Sequence, residues 1–188
     1  MVKKIIKNCL WLLPWILVSF FVLSFSTKTF YKSAYPTFYS DFVDKYSQEC
    51  GVDKALIYAV IRTESGFKHN AISSAQAKGL MQITKDTYEW AQSRKQIENI
   101  MEHDTLYDPE TNIEFGTYIL FLLSEEFGVT ETTIAAYHAG WGNVKSWLSD
   151  ESHSTDGINL YDIPFPSTKK YVEKVMLTSD IYKKLYDM

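Results

Sequence analysis

Hydrophobic positions along the chain recur mostly with the period of an α-helix, and the sequence has no strand pattern of comparable strength. From Phe38 to Cys50 the apolar residues fall on one helix face, and Gly51 follows as a C-terminal cap. Residues 112–127 are apolar on nearly every side, which predicts a helix buried among others. Residues 149–166 are rich in turn formers and predict a mobile loop. The pattern therefore indicates a mainly α-helical domain.

Further helix starts are indicated by residues whose side chains can accept hydrogen bonds from the first free backbone N–H groups. The candidate N-caps are Asp53, Thr84, Thr130 and Asn143, and a last helix is expected from Thr168.

The N-terminus carries a charge-free run over residues 8–27. A helix of that length crosses about 30 Å of hydrocarbon, and the three lysines before it place the N-terminus in the cytoplasm. The alternative is a cleaved signal peptide, but Ser24-Phe25-Ser26 matches a cleavage site poorly. We expect residues 1–27 to form a cytoplasmic tip and membrane anchor, 28–36 a linker, and 37–188 an extracytoplasmic domain.

Charge and cysteine content narrow the possible functions of the soluble part. The 188-residue chain has a net charge of −4, but four of its lysines precede residue 30, so residues 30–188 carry 15 basic and 23 acidic side chains. An acidic body without a basic run argues against nucleic acid as a partner. Cys50 is the only cysteine of this part, which excludes an internal disulfide there and predicts a buried, inert thiol.

Glu64 is the first candidate for chemistry, because it continues the apolar stripe of Leu56 and Val60 on one predicted helix. Arg62 is not a suitable partner, since residues two apart on a helix point to different faces. If the carboxyl is partly buried, desolvation raises its pKa and keeps it protonated, which is the state a general acid needs. The alternative is a solvated carboxylate in the last helical turn, just before Gly66.

Several short segments follow one another in the order and spacing of a known catalytic domain. They are Thr63-Glu64-Ser65-Gly66-Phe67, Ser73, Gly79-Leu80-Met81-Gln82, Asn112 and Gly116, Ala136-Tyr137-His138-Ala139-Gly140, and Pro164-Phe165 with Thr168 and Tyr171-Val172. Over roughly residues 38–182 the chain resembles the soluble lytic transglycosylase catalytic domain family.

The resemblance implies a lysozyme-like multi-helix fold, related to goose-type lysozyme, that acts on the glycan strands of peptidoglycan without a cofactor. Glu64 matches the family's catalytic acid. In that family it protonates the oxygen between N-acetylmuramic acid and N-acetylglucosamine, then acts as a base while the muramic acid 6-hydroxyl closes to a 1,6-anhydro end. Because the substrate supplies the nucleophile, no second carboxylate is required. Asp86 and Glu89 are the nearest alternatives, and both are more simply first-turn helix residues.

The same resemblance implies a set of substrate-binding residues. Ser65 is expected beside the catalytic carboxyl, Met81 and Gln82 along the cleft, and the hydroxyls of Tyr137 and Tyr171 facing Glu64 and the sugar. Ordinary core packing is the alternative for both tyrosines. Ser73 and His138 complete the expected set.

Three positions depart from the family pattern, namely His138 where Asn is usual, Gln76 where Gly is usual, and Ser167 where Glu is usual. His138 matters most, because an imidazole can replace an amide as a donor but titrates near neutrality. A metal site is not expected, since the histidines lack paired spacing. Two other functions remain open: a muramidase in which water replaces the internal hydroxyl, and a catalytically weak module that binds the cell wall.

Overall fold

The structure, a computed structural model, describes residues 29–188. The predicted membrane segment, 8–27, lies outside the described residues. Within 29–188 no helix has both the length and the apolar character needed to cross a bilayer. Residues up to Pro36 and residues Thr37–Met188 fall in separate compact units. In the first of these units residues 29–34 are helical, and the rings of Tyr31 and Tyr35 stack with their centroids 6.3 Å apart.

The unit Thr37–Met188 is built from helices α1 to α7 and one 3-10 helix. In chain order they are α1 Ser40–Cys50, α2 Lys54–Glu64, α3 Lys85–Arg94, the 3-10 helix His103–Tyr107, α4 Pro109–Phe127, α5 Thr130–Ala139, α6 Trp141–Leu148 and α7 Pro166–Tyr186.

Three of the predicted caps are confirmed. Gly51 ends α1 in the left-handed conformation with φ +69°. Asp53 caps α2 by accepting a hydrogen bond from the backbone N–H of Ala55 at 2.8 Å. Thr84 caps α3 by accepting one from Thr87.

The starts of the later helices differ from the prediction. Thr130 lies inside α5 as its first residue, so it is not the cap. Asn143 lies inside α6, where its amide donates to the carbonyl of Ala139 at 2.8 Å. Helices α4 and α7 begin earlier than predicted because each has a proline in its first turn, and proline has the φ of a helix already fixed.

Helix α4 is the central helix, as its nearly uniform apolar character predicts. It packs against α1, α3 and α5, while α2 packs most extensively against α7. The buried side chains of α4 include Ile113, Phe115, Ile119 and Leu120. The end of α2, where Glu64 lies, is thereby fixed against α7. Cys50 is only half-buried, in contrast to the predicted buried thiol, because it lies in the last turn of α1.

Candidate active site

Glu64 is the last residue of α2, and its carboxyl is partly buried. The hydroxyl of Tyr171, on α7, donates a hydrogen bond of 2.6 Å to Oε1 of Glu64. Burial raises the pKa of Glu64 from 4.5 to about 7, although the Tyr171 hydrogen bond and the charge of Lys174 both act to lower it. The carboxyl therefore exchanges a proton near neutral pH, as a group that acts first as an acid and then as a base must do.

Tyr171 and His138 form one contact pair beside this carboxyl. The two rings lie with their centroids 4.4 Å apart and their planes inclined by 32°. Nδ1 of His138 lies 3.0 Å from Oγ1 of Thr168, at the start of α7. Partial desolvation lowers the pKa of His138 below its usual value, so the ring is neutral at neutral pH. An imidazole thus links the end of α5 to α7 next to the tyrosine that contacts Glu64.

Burial is the main reason why the pKa of the Tyr137 hydroxyl is raised. Tyr137 also lies close enough to Glu64 for the negative charge of that carboxylate to raise it further. Its hydroxyl, however, donates to the carbonyl oxygen of Met81 at 2.7 Å. This differs from the expectation that both tyrosine hydroxyls face Glu64. Tyr137 joins α5 to the segment that precedes α3, and Tyr171 alone of the two donates to the carboxyl.

The segment 71–83 forms one wall of the site and is tied to α4 by Asn112. Oδ1 of Asn112 accepts from the backbone N–H of Met81 at 2.8 Å, and its Nδ2 donates to the carbonyls of Lys78 and Leu106 at 3.0 and 2.8 Å. Gly79 is required here, because its φ is +76° and a Cβ would lie 2.1 Å from the Asn112 amide nitrogen.

Met81 does not line the cleft with its side chain, in contrast to the prediction. The side chain is fully buried against Gly116 of α4, where a Cβ would lie only 2.2 Å from the Met81 sulfur. Met81 lies in the turn 79–82 between the bridged residues Lys78 and Ile83, and the hydrogen bond from its backbone N–H to Asn112 holds this turn against α4. Its carbonyl oxygen, which accepts from Tyr137, is the part of Met81 that belongs to the site.

Gln82 adopts a positive φ of 50°, and its side chain folds back on the segment. Nε2 donates to the carbonyls of Gly79 and Ala71 at 2.9 and 3.3 Å. The donor half of this amide is thus used internally, and the acceptor half, Oε1, has no hydrogen-bond donor among the described side chains and backbone groups. The amide oxygen of Gln82 is therefore the part of this side chain that is available as a hydrogen-bond acceptor.

The two predicted serines bond to the backbone. Oγ of Ser65 donates to the carbonyl of Ile61 at 3.2 Å, and Oγ of Ser73 accepts from the N–H of Ala77 at 3.1 Å. Both side chains remain partly exposed. Gln76, which stands where the family usually has glycine, adopts the left-handed φ of 59° that glycine favours.

Lys174 and Thr168 were missed as functional candidates by the sequence analysis. Lys174 lies on α7 one turn after Tyr171, a spacing of three that brings both residues to one helix face and could have indicated it. Thr168 belongs to the last motif of the resemblance, but it is buried and contacts His138 across 30 residues of sequence, so the local pattern gives no indication of this contact. Within residues 29–188, no three His, Cys, Asp or Glu side chains are grouped so that they could hold a metal ion.

Comparison with known proteins assigns a family to this arrangement. The family model described as the transglycosylase SLT domain matches residues 41–159. The soluble lytic murein transglycosylase of Escherichia coli (strain K12) is 31% identical over 151 residues, which cover 79% of this chain and 23% of that protein. The membrane-bound lytic murein transglycosylase C of Edwardsiella ictaluri is 31% identical over 176 residues, covering 78% of this chain and 47% of that protein.

Solved structures agree with these relatives. The 70 kDa soluble lytic transglycosylase of Escherichia coli superposes with a TM-score of 0.73 and 28% identity, over 82% of this chain and 25% of that one. An inactive mutant of the lytic transglycosylase Slt from Pseudomonas aeruginosa, in which a glutamate is replaced by glutamine, superposes with a TM-score of 0.71 and 26% identity over 83% of this chain and 25% of that one. The chain therefore spans between about a quarter and a half of the length of these relatives.

Proposed function

The chain belongs to the transglycosylase SLT domain family, and from this premise we propose that it is a lytic transglycosylase that cleaves the glycan strands of peptidoglycan. The observation that carries the proposal is the Glu64 carboxyl, which burial brings to a pKa of about 7 at the end of a helix. A general acid is most effective when its pKa lies near the working pH.

Glu64 performs both proton transfers in this proposal. The protonated carboxyl gives its proton to the oxygen between N-acetylmuramic acid and N-acetylglucosamine as the bond from the muramic acid anomeric carbon to that oxygen breaks. The resulting carboxylate accepts the proton of the 6-hydroxyl while that oxygen bonds to the anomeric carbon. The product is a 1,6-anhydro end, and Glu64 regains its proton. Tyr171 stabilises the intermediate carboxylate through its 2.6 Å hydrogen bond.

A substrate-derived nucleophile is consistent with the neighbours of Glu64. The described groups that perturb the Glu64 carboxyl are Tyr171 and Lys174, and neither is a carboxylate. Glycosidases that use two carboxylates hold them within about 5 to 10 Å of each other. The proposal therefore assigns the second role to the substrate and not to the protein.

Glu64→Gln tests the assignment, because glutamine keeps the shape of the side chain and removes its transferable proton. Release of muropeptides from purified peptidoglycan should fall by at least about 100-fold. Glu89→Gln is the matched control, since Glu89 is an exposed carboxylate of α3 and should leave release unchanged. Retention of more than about a tenth of the rate would contradict the role of Glu64. The inactive glutamate-to-glutamine mutant known for the Pseudomonas aeruginosa relative supports this choice.

Mass spectrometry of the products separates the proposed reaction from the alternatives. Anhydro muropeptides are lighter by one water than the products of a muramidase. Exclusively hydrated ends would identify a muramidase, and sedimentation with peptidoglycan without any cleavage would identify a wall-binding module.

Substrate contacts are proposed for the predicted binding residues around the candidate active site. The free Oε1 of Gln82 would accept from a sugar hydroxyl or N-acetyl N–H group. Ser65, Ser73 and Tyr137 would line the same cleft, and the backbone of Met81 would position Tyr137 there.

His138 is proposed to act in its neutral form, because only the neutral ring can both accept and donate a hydrogen bond. Its lowered pKa keeps that form available at neutral pH, and activity should fall as pH drops through this pKa. His138→Asn should retain turnover and flatten the acid side of the pH profile. An unchanged profile would show that the acid side belongs to another group.

Membrane anchoring by residues 8–27 is the remaining part of the proposal. It is supported by the charge-free run and by relatives described as membrane-bound. The catalytic unit would then face the peptidoglycan outside the cytoplasmic membrane. Cell fractionation with N-terminal sequencing tests this, and recovery of a soluble form that begins near residue 24 would identify a cleaved signal peptide instead.

A further inference from the structure

A pocket of about 520 Å³ lies where α1, the start of α2 and the end of α7 meet. We call it the tyrosine pocket, because Tyr58 of α2 and Tyr186 of α7 both line it. Neither Glu64 nor Tyr171 is among its lining residues, so it is separate from the candidate active site. Its volume lies within the range of about 300 to 1,000 Å³ that is typical of small-molecule sites.

The hydroxyl of Tyr58 is the feature that points to a ligand. The side chain is only 1% exposed, yet its hydroxyl has no hydrogen-bond partner within residues 29–188. Burial raises the pKa of this hydroxyl, and the neighbouring groups Asp44, Tyr186 and Asp41 raise it further. Because Asp44 and Tyr186 line the pocket, the hydroxyl lies on the pocket side of the Tyr58 ring. A buried polar group without a partner costs free energy, which a ligand that bonds to it would recover.

Three stacked tyrosine rings hold this hydroxyl in place. The rings of Tyr58 and Tyr182 stack with their centroids 5.2 Å apart, and those of Tyr182 and Tyr186 stack at 6.0 Å. Tyr182 is fully buried between the other two, and Tyr186 is partly exposed at the pocket. The pocket therefore has an aromatic wall that is formed before any ligand binds, and aromatic faces attract cations.

The charges around the pocket favour a cation. Asp44, Asp53 and Asp187 line it, and Lys54 is the one basic residue among the described lining residues. Lys54 pairs with Asp44 at 2.6 Å, and Lys183, outside the lining, pairs with Asp53 at 2.8 Å. Asp187 has no ion-pair partner in the part of the chain that the structure describes. A carboxylate ligand would be repelled here, and a purely apolar ligand would leave the buried hydroxyl unpaired.

An organic ammonium group suits this pocket better than a metal ion does. The described residues include no group of three His, Cys, Asp or Glu side chains that could hold a metal, and the pocket is far larger than one ion requires. An ammonium group donates three hydrogen bonds and accepts none, which matches a hydroxyl oxygen and carboxylates as partners. The partly exposed side chains of Tyr186 and Met188 add apolar surface for a short aliphatic chain.

We propose that the tyrosine pocket binds a primary ammonium group carried on a short aliphatic chain, as in a diamine or a lysine side chain. The ammonium group donates to the Tyr58 hydroxyl and is attracted by the unpaired charge of Asp187, while the aliphatic chain packs on Tyr186. The site is independent of the proposed function, because it uses none of the residues assigned to catalysis or to the glycan.

Calorimetric titration of the full chain with pentylamine tests the proposal, and 1-pentanol and pentanoate are probes with the same carbon chain. Pentylamine should bind at least about tenfold more tightly than 1-pentanol, and pentanoate should not bind measurably. Tyr58→Phe removes only the hydroxyl and should weaken pentylamine binding by about tenfold, the factor expected for a hydrogen bond to a charged group. Asp187→Asn should weaken it by about two- to fivefold, as expected for an exposed ion pair.

Two matched controls remove the same groups elsewhere. Tyr118→Phe and Glu125→Gln alter residues that do not line the pocket, so both should bind pentylamine like the parent. Asp187 has a φ of +54°, a conformation that asparagine tolerates, so Asp187→Asn should fold normally. Thermal unfolding without ligand verifies the fold of each variant. Tyr58→Phe should unfold like the parent, because its hydroxyl has no partner to lose.

Four results would overturn the proposal. The first is no measurable binding of pentylamine. The second is unchanged affinity in both Tyr58→Phe and Asp187→Asn, which would place the amine elsewhere. The third is equal affinity for 1-pentanol, which would show an apolar pocket without selection for charge. The fourth is tighter binding of ethanolamine than of pentylamine, which would exclude the aliphatic part and point to a lipid headgroup. Release of muropeptides by both variants should equal that of the parent, so this test and that of Glu64 fail or succeed separately.

Discussion

Glu64→Gln should stabilise the protein while it removes activity, and the gain should depend on pH. The side chain ionises at about 7 in the folded protein and at 4.5 in the unfolded chain. Between these values the folded protein keeps a proton that the unfolded chain has released. The free energy of unfolding therefore falls as pH rises through this interval, and the contribution is fully lost above about pH 7. Glutamine does not ionise, so the free energy of unfolding of the variant does not fall in this pH interval.

The size of the effect follows from the two pKa values. Their difference, about 2.5 pKa units, corresponds to at most about 3.5 kcal/mol at about 1.4 kcal/mol per unit. Glu64 is partly exposed, and solvent screening reduces the figure, so we expect about 2 kcal/mol at alkaline pH. For a domain of this size that corresponds to a rise in Tm of about 4 to 8 °C. Below about pH 4.5 the two proteins should unfold alike, because both then carry a neutral side chain there.

Thermal unfolding of both proteins, in steps from about pH 4.5 to pH 8.5, measures this difference. The other titrating groups affect the stability of both proteins equally, so they cancel in the difference between the two Tm values. Glu125→Gln, which removes an exposed charge from the same chain, controls for the change in the net charge of −4. A difference that stays flat with pH, or a Glu64→Gln variant that is less stable than the parent at alkaline pH, would refute the argument that burial raises this pKa.

Three further substitutions test the surroundings of the site. Asn112→Ala should destabilise the fold by about 3 kcal/mol in urea unfolding, because the buried Met81 N–H and Leu106 carbonyl lose their partner and the Lys78 carbonyl keeps only its bond from Ile83; a loss below about 1 kcal/mol would mean that water replaces the amide. Gly116→Ala should cost about 1 to 3 kcal/mol by the same assay, since its Cβ would collide with a buried methionine, whereas Gly142→Ala meets open space and should be neutral or slightly stabilising. Tyr171→Phe removes a bond that lowers the pKa of Glu64, so the alkaline side of the pH–kcat profile should move to higher pH; a shift to lower pH would contradict the assigned direction.

The helices and the position of Glu64 were predictable from the sequence, because both depend on local periodicity. The apolar stripe of α2 marked Glu64 as an anomaly, and Asp53 and Thr84 marked two helix starts through their own side chains. The predictions for Thr130 and Asn143 were wrong because both residue types can cap a helix, whereas the N-caps of α5 and α6 are the earlier residues Val129 and Gly140.

The contacts within the site were not predictable from the local pattern, because they join distant segments. Tyr171 reaches Glu64 across 107 residues and Tyr137 reaches Met81 across 56 residues. The resemblance placed these residues in one expected site, but it did not indicate which tyrosine hydroxyl donates to which acceptor. The burial of Met81 depends on the missing side chain of Gly116, which only the packed helices reveal.

The side chain of Asn112 ties the segment 71–83, which forms one wall of the site, to the buried core. We therefore expect this segment to open as rarely as the core does. Its three bonds join the segment before α3 and the carbonyl of Leu106 to the central helix, so that segment cannot swing away unless buried bonds break together. Such a segment is expected to exchange its amide hydrogens slowly, with Met81 among the slowest. The wall that positions Tyr137 is therefore in place before any ligand binds, and binding costs no free energy for ordering this segment.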